Sequence, residues 1–501
     1  MKKQKLKLQE NQTEIINILT ESDKELYQDF LNELKLHVRM GKTQSNLLID
    51  DFNAGILYLL KTGTTFNEIA ERLDPERLGG FYASPATEWY PLDNAAIVYP
   101  LSMKHGTMPM FRMSVYLKED VIPEILQLAL DFTIRRFPTF ATTIKQGVFW
   151  HYMDSTKRRF NVEEEDDIPL RPIKVGHTGS QSFRLLYYRN RISAEYFHII
   201  TDGSGGLIFL KTITAEYLRL LGVNSSPTKG VLDTTAAAST SEVCNEFDKT
   251  ELQDGVQGFM GRLAVQMSGK PTFVKPCQII HFEMDSNQLR ELAHESGVSV
   301  STYLLDYMFM AGKFASQKAE GEFRIQVPVN MRKYYPSDTL RNFSMYFSCD
   351  MAMGYITDFE DMKDNIAEQI KFKSSKEEMT KMMSTTVKLI SSLKYVPLII
   401  KKPVVQIAYG FLGDRIFSSY LSNLGMTELP EEMEPYVEKF DFELGPSESC
   451  RASCAMISYK DKAVLSITKI TADPSFEERL YQLLTQQGLE IKVSGSALYE
   501  S

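Results

Sequence analysis

The sequence predicts an α/β (α+β) fold of two similar halves, each a mixed sheet flanked by helices, preceded by a helical extension. Three observations lead there. Residues 1–80 carry apolar side chains at helical spacing without strand-like alternation. Two later stretches each alternate short strands with helices, the texture of sheet-and-helix layers. Between them, residues 223–245 are small, polar and unpatterned, as in a linker. A chain of 501 residues is also too long for one ordinary core. The expected division is a helical extension over 1–80, a first lobe over 81–222, a linker or crossover over 223–275 and a second lobe over 276–501.

In the extension, Leu26, Phe30, Leu31, Leu34 and Val38 recur at helical spacing, and Leu47, Leu48, Phe52, Ile56, Leu57, Leu59 and Leu60 do so again. Residues 65–73 are similar to the first helix of a helix-turn-helix. No second helix with basic or amide side chains follows, and Asp74-Pro75 stops the pattern. Residues 1–80 hold 11 Lys plus Arg against 13 Asp plus Glu, which is the wrong balance for DNA.

From Trp89-Tyr90-Pro91-Leu92-Asp93 strands begin. They are expected at 110–117, 147–153, 183–189 and 192–200, with helices over 121–136 and 206–221, the latter closed by Gly222. The second half predicts strands at 278–284, 323–329, 343–351, 437–444, 452–459 and 463–468. Its helices fall at 285–294, 302–314 and 359–393, with a last one opening at Asp473-Pro474 and closing at Gly488.

Composition narrows the class. Hydrophobic residues make up 43% and charged residues 24%, an ordinary globular balance, and the formal charge of −9 excludes a general nucleic-acid coat. The five cysteines, Cys244, Cys277, Cys349, Cys450 and Cys454, are few and odd in number, which fits a reducing compartment. Cys450 and Cys454 lack partners at zinc-like spacing, so no metal is expected. The basic start Met1-Lys2-Lys3 has no apolar run behind it, which argues against export. The most hydrophobic stretch, 396–412, is broken by Lys401, Lys402, Pro403 and Gly410 and is too short to span a membrane. A cytoplasmic protein is expected.

The segment His198-Ile199-Ile200-Thr201-Asp202-Gly203 carries the chemistry. A neutral imidazole at the end of a strand can reach into a cleft and take a proton from a hydroxyl, thiol or amine. The helix N-terminus that follows disfavours imidazolium. Gly203, Gly205 and Gly206 permit a tight turn and close backbone approach. Asp202 orders the turn either by capping the helix or by pairing with a distant cation. A lone histidine on an apolar strand is more commonly a satisfied core residue, so the spacing alone has moderate weight. Ser204-Gly205-Gly206 lacks the pattern of a phosphate loop.

This segment resembles the active-site motif of the chloramphenicol acetyltransferase-like superfamily, which includes condensation domains, plant acyltransferases, wax-ester synthases and alcohol acetyltransferases. The order strand, motif, helix, linker is similar, as are residues 297–305, 327–332 and 420–425. Trp89-Tyr90-Pro91-Leu92-Asp93-Asn94 points to the bacterial alcohol-acetyltransferase-like branch. The resemblance covers about residue 82 to the C-terminus. Phe197 stands where condensation domains usually place a first histidine, which tells against peptide-bond formation more than against acyl transfer. The plant-type segment Asp-Phe-Gly-Trp-Gly is absent, and residues 342–348 are either a different solution or a plain strand.

The resemblance implies an acyltransferase with its active-site tunnel between the lobes, transferring groups other than aminoacyl, and O-acylation ahead of N-acylation. The donor is an acyl-CoA or a phosphopantetheine thioester on an acyl carrier protein. The acceptor is a small alcohol or amine, and no cofactor is permanently bound. His198 is the base, Asp202 and Gly203 complete the motif, and Asp202 forms a structural ion pair with Arg332, Arg341 being the reserve. Ser344, Tyr346 and Ser348, on one face of a strand, are candidate oxyanion donors. The competing reading is a scaffold or interaction protein of the same fold without catalysis.

Overall fold

The computed structural model describes residues 2–102, 108–165, 169–174, 180–249, 251, 253, 263–272, 278–402, 413–447 and 449–496. Four helices open the chain: α1 (Lys2–Ile18), α2 (Glu21–His37), α3 (Lys42–Lys61) and α4 (Phe66–Arg72). The first α/β part contains β1 (Trp89–Pro91), α5 (Tyr99–Ser102), β2 (Met110–Leu117), α6 (Pro123–Thr133), β3 (Thr142–Gln146), β4 (His151–Ser155), β5 (Val162–Glu164), β6 (Phe183–Tyr188), β7 (Arg191–Phe197) and α7 (Gly203–Leu220). The second contains β8 (Gln278–Asp285), α8 (Ser286–Glu295), α9 (Val300–Phe314), β9 (Glu322–Asn330), β10 (Ser344–Ala352), α10 (Phe359–Lys373) and α11 (Lys376–Ser392). It continues with β11 (Ser419–Thr427), β12 (Val437–Leu444), β13 (Ala452–Tyr459), β14 (Lys462–Lys469), α12 (Ser475–Gln486) and β15 (Lys492–Gly495).

These elements build a mixed α/β fold with two large sheets. The first has the order β12-β2-β7-β6-β5 and the second β10-β9-β11-β13-β14-β8-β15, while β1-β4-β3 forms a small third sheet. Each large sheet has its own buried cluster of side chains, one centred on residues such as Phe132, Tyr196 and Phe209, the other on Leu304, Phe323 and Ile467. In β10 the period is strict, with Met345, Phe347 and Cys349 buried and Ser344, Tyr346 and Ser348 half-buried between them. β7 is buried along both faces, as a central strand must be when helices cover one side and a polar network fills the other.

Several elements depart from their predicted bounds. Helix α7 begins at Gly203, three residues before the expected Gly206, because Asp202 caps it and overrides the poor helix propensity of three glycines. β7 stops at Phe197, and His198 stands in the turn beyond it. The strand expected over 147–153 is His151–Ser155, joined by a turn to β3, and β3, β5, β11 and β15 went unpredicted. β12 lies within 276–501, yet it pairs antiparallel with β2 and so extends the first sheet. Residues 403–412 of the hydrophobic stretch 396–412, and Cys277, lie outside the described residues. Among the described residues, no helix is long and apolar enough to cross a membrane.

The segment following α7 is irregular but anchored. Glu242 accepts a fork from Arg136 at 2.5 and 2.6 Å, and its carbonyl accepts from the Leu340 amide at 2.8 Å. One residue thereby ties the crossover to both parts of the molecule.

The four N-terminal helices share the first core. Phe52 of α3 meets Phe132 of α6 with ring centroids 5.6 Å apart, and Tyr27 donates to buried Asn53 at 2.7 Å. A Cβ on Gly55 would fall 2.2 Å from the Leu128 side chain, so α3 and α6 pack at glycine distance. Phe66 of α4, capped by a reciprocal Thr65–Glu68 box, sits edge-on to Tyr27 and Phe30. Deleting residues 1–80 would therefore strip the outer face of α6 and expose contiguous apolar surface. The truncated protein is expected to aggregate or to melt several degrees lower in a thermal scan. A truncation that stays monodisperse with an unchanged melting temperature would refute this.

Candidate active site

His198 owes its position to β7. Alternation puts Ile192, Ala194, Tyr196 and His198 on the side covered by α7, and Tyr196 donates to the Gly206 carbonyl at 2.8 Å. The His198 amide donates to the Pro109 carbonyl at 2.9 Å, which holds the backbone in sheet-like register for one more residue. The imidazole lies between Phe111 and Tyr99, with ring centroids 5.0 and 5.1 Å away. A Cβ on Gly205 would lie 2.2 Å from the Leu340 carbonyl oxygen, and one on Gly206 would lie 2.9 Å from the Phe111 ring. Glycine here lets the second part of the chain, and an aromatic ring of the first, approach the start of α7. Gly203 is the first residue of that helix.

His198 Nδ1 is 2.9 Å from Asn342 Oδ1. The amide's orientation follows from its other end. Asn342 Nδ2 faces two acceptors, the His198 carbonyl at 2.9 Å and Asp93 Oδ2 at 3.2 Å, so that end must be the NH₂. Oδ1 is then an acceptor, and Nδ1 must carry the proton. In the neutral imidazole this tautomer puts the lone pair on Nε2, the atom through which a general base would act.

Two buried carboxylates clamp residues 341–343 over the histidine. Asp202 Oδ1 caps α7 through the Ser204 and Gly205 amides at 3.1 and 3.2 Å. Its Oδ2 accepts from Arg332 Nη1 at 2.7 Å and from the Phe343 amide at 2.8 Å. The structure therefore brings Asp202 and Arg332 together, and the remaining arms of Arg332 bind the Thr339 and Arg341 carbonyls. Asp93 accepts from the Ala96 amide and from Asn342, with Arg341 3.6 Å away. Arg341 thus pairs with Asp93 rather than Asp202, and reaches the Pro91 carbonyl at 2.5 Å. Burial pushes the Asp93 carboxyl upward, against the pull of Arg341.

Of the three candidate oxyanion donors, Tyr346 lies close enough to Tyr99 for its charge to oppose ionisation there. Burial pushes the Tyr346 hydroxyl up to about 12, so it stays a donor at neutral pH. Ser348 is two pleats beyond Ser344, roughly 13 Å along the strand, and its carbonyl accepts from Lys373. Asn342, Asp93 and Tyr99 were not singled out from sequence. Residues 89–94 and 342–348 were noticed as segments, but no local pattern says that they meet.

Among the described residues, one group has metal-ligand proximity: His281, with Nε2 3.9 Å from Asp441 and 3.8 Å from Glu443. The positive charges of Arg112, Arg191 and Lys439 act on this group. Burial pushes Glu443 up to about 8. Cys349 and Cys454 are buried thiols, pushed up by burial.

No family model matches the chain, and no curated protein matches it by sequence. Solved structures do. Polyketide synthase associated protein 5 from Mycobacterium tuberculosis superposes with a TM-score of 0.53 at 11% identity, over 80% of this chain and 97% of that one. TRI3 trichothecene 15-O-acetyltransferase from Fusarium sporotrichioides gives 0.52 at 12%, over 79% and 94%. TRI101 of F. sporotrichioides, complexed with coenzyme A and T-2, gives 0.54 at 11%, over 81% and 100%. The likeness is one of fold: the chain shares its mixed α/β architecture with these three solved structures.

Proposed function

We propose that the chain is an acyltransferase that moves an acyl group from a thioester to a hydroxyl or amine acceptor, with His198 as general base. The observation that supports this reading is the Asn342–His198 contact, which orients the ring and gives Nδ1 an acceptor, so that in the neutral imidazole the lone pair lies on Nε2. Nε2 takes the acceptor's proton as its oxygen or nitrogen bonds to the thioester carbonyl carbon. The carbon–sulfur bond then breaks, and the leaving thiolate takes the proton from the imidazolium. Ser344, Tyr346 and Ser348 are the candidate donors to the tetrahedral oxyanion. Asp202 and Arg332 act by holding residues 339–343, and hence Asn342, in place. A tunnel between the lobes admits donor and acceptor, and no permanently bound cofactor takes part.

Acyl-CoA is the favoured donor over an acyl carrier protein because TRI101 is complexed with coenzyme A, and a hydroxyl acceptor is favoured because TRI3 is an O-acetyltransferase. The test is release of free thiol from a panel of acyl-CoAs offered with alcohols and with amines. Acceptor-dependent release is expected. Its complete absence, together with inertness towards acyl carrier proteins, would favour a non-catalytic scaffold.

Asn342→Ala should separate positioning from folding. Imidazole nitrogen shifts of the wild type are expected to report a proton on Nδ1, and those of the variant a mixture of tautomers. The catalytic rate should fall about ten- to a hundredfold with KM little changed, the range in which hydrogen-bond partners that orient a histidine act. An unchanged tautomer in the variant would overturn the assignment.

A further inference from the structure

Residues 379–402 hold five lysines and no aspartate or glutamate, in a chain of formal charge −9. Large apolar side chains are exposed in the same region: Tyr395 is 77%, Ile399 82% and Ile400 57% exposed. The turn between β3 and β4 adds Val148 at 72% and Phe149 at 40%. The two segments form one surface. The Leu398 amide donates to the Val148 carbonyl at 2.8 Å, and the Phe149 and Tyr395 rings meet edge to face at 6.4 Å. The Lys401 ammonium lies 3.0 Å over the Trp150 ring. Single exposed apolar residues need no explanation, but five clustered on an ordered face mark a contact surface.

We propose that this face docks on an anionic membrane surface, lying at headgroup level. Aromatic and aliphatic side chains rimmed by lysines suit the boundary between acyl chains and headgroups, where ammonium groups reach anionic lipid. Lys388 and Lys394 are exposed and Lys145 and Lys402 half-buried around the apolar residues, with no acidic residue in 141–153 or 379–402. A two-fold contact with a second copy would instead set these lysines against one another. Residues 393–402 carry only ten positions, so insertion would be shallow.

The test is co-sedimentation of the full chain with vesicles of phosphatidylcholine alone or with about one-third phosphatidylglycerol, at low and high salt. Binding is expected only to the anionic vesicles and should weaken with salt. The double variant Ile399→Glu, Ile400→Glu should lose about tenfold or more of that binding with its melting temperature unchanged, because both side chains are exposed. Phe149→Ser with Tyr395→Ser should act alike and provides a second route if the acidic pair disturbs the fold. Lys394→Glu with Lys402→Glu should abolish the salt dependence. Absence of pelleting with anionic vesicles, or undiminished binding by both apolar variants, would overturn the proposal. So would a dimer seen by light scattering that these variants dissociate while the wild type ignores vesicles.

Discussion

His198→Ala is expected to slow acyl transfer on the order of a hundred- to ten-thousandfold while the protein stays folded, because a positioned general base contributes about that much. The two halves of the expectation have separate causes. The rate falls because, among the described residues, the side chains seen against His198 cannot serve. Tyr99 is held protonated by burial, Phe111 is inert, and Asn342 has no basic nitrogen. The fold survives because the amide bond of residue 198 to Pro109 does not involve the side chain, and the ring is only half-buried. Asn342 keeps its bonds to the residue 198 carbonyl and to Asp93. The checks are thiol release from acyl-CoA with a productive acceptor, and a thermal melt of the same preparation. Residual activity should reflect binding and the oxyanion donor alone. A variant that turns over at close to the wild-type rate with an unchanged melt would mean that the base is another residue.

The parts of this site that were legible in sequence are those encoded within one element. The period of β7, the glycines after it and the apolar face of α7 place a histidine at a strand end before a helix, and α7 deviates only in starting earlier. What was not legible depends on pairings far apart in the chain. Asn342 reaches His198 across 144 positions, and Asp93 reaches Asn342 across 249. Asn342 sits one residue before a predicted strand and looks like any polar strand flank. β12 has the alternation of an edge strand, and alternation specifies a face without naming the sheet it joins. Arg332 was expected to pair with Asp202, with Arg341 in reserve, although both are basic and lie in one irregular loop. The structure ranks them by reach: Arg332 forks between Asp202 and two carbonyls, while Arg341 turns back towards Pro91 and Asp93.

That arrangement makes Asp202 the residue whose smallest change should have the largest structural effect. Asp202→Asn preserves shape and removes one acceptor. All four of the carboxylate's bonds come from donors: the Ser204 and Gly205 amides on Oδ1, and Arg332 and the Phe343 amide on Oδ2. Whichever way the new amide turns, its NH₂ faces a donor. It either uncaps α7 or pushes Arg332 and Phe343 away, and the second outcome shifts Asn342, the immediate neighbour of Phe343. A stability loss of about 3–5 kcal/mol is expected for breaking a pair this deeply buried, together with a fall in turnover. Arg332→Ala leaves the carboxylate with three backbone donors but strips the Thr339 and Arg341 carbonyls of theirs, so it should cost a comparable amount and lower turnover by the same route. Arg332→Lys should rescue little, since one ammonium cannot span three acceptors in a fixed plane. In the double variant the clash between the amide and the guanidinium is gone, so the combined loss should fall short of the sum by about 1–3 kcal/mol. Denaturant unfolding of the wild type, both single variants and the double variant measures that difference directly. Losses that add to within about 0.5 kcal/mol would show that Asp202 acts through its helix cap alone. In that case α7, rather than the Arg332 loop, would be what holds His198 in place.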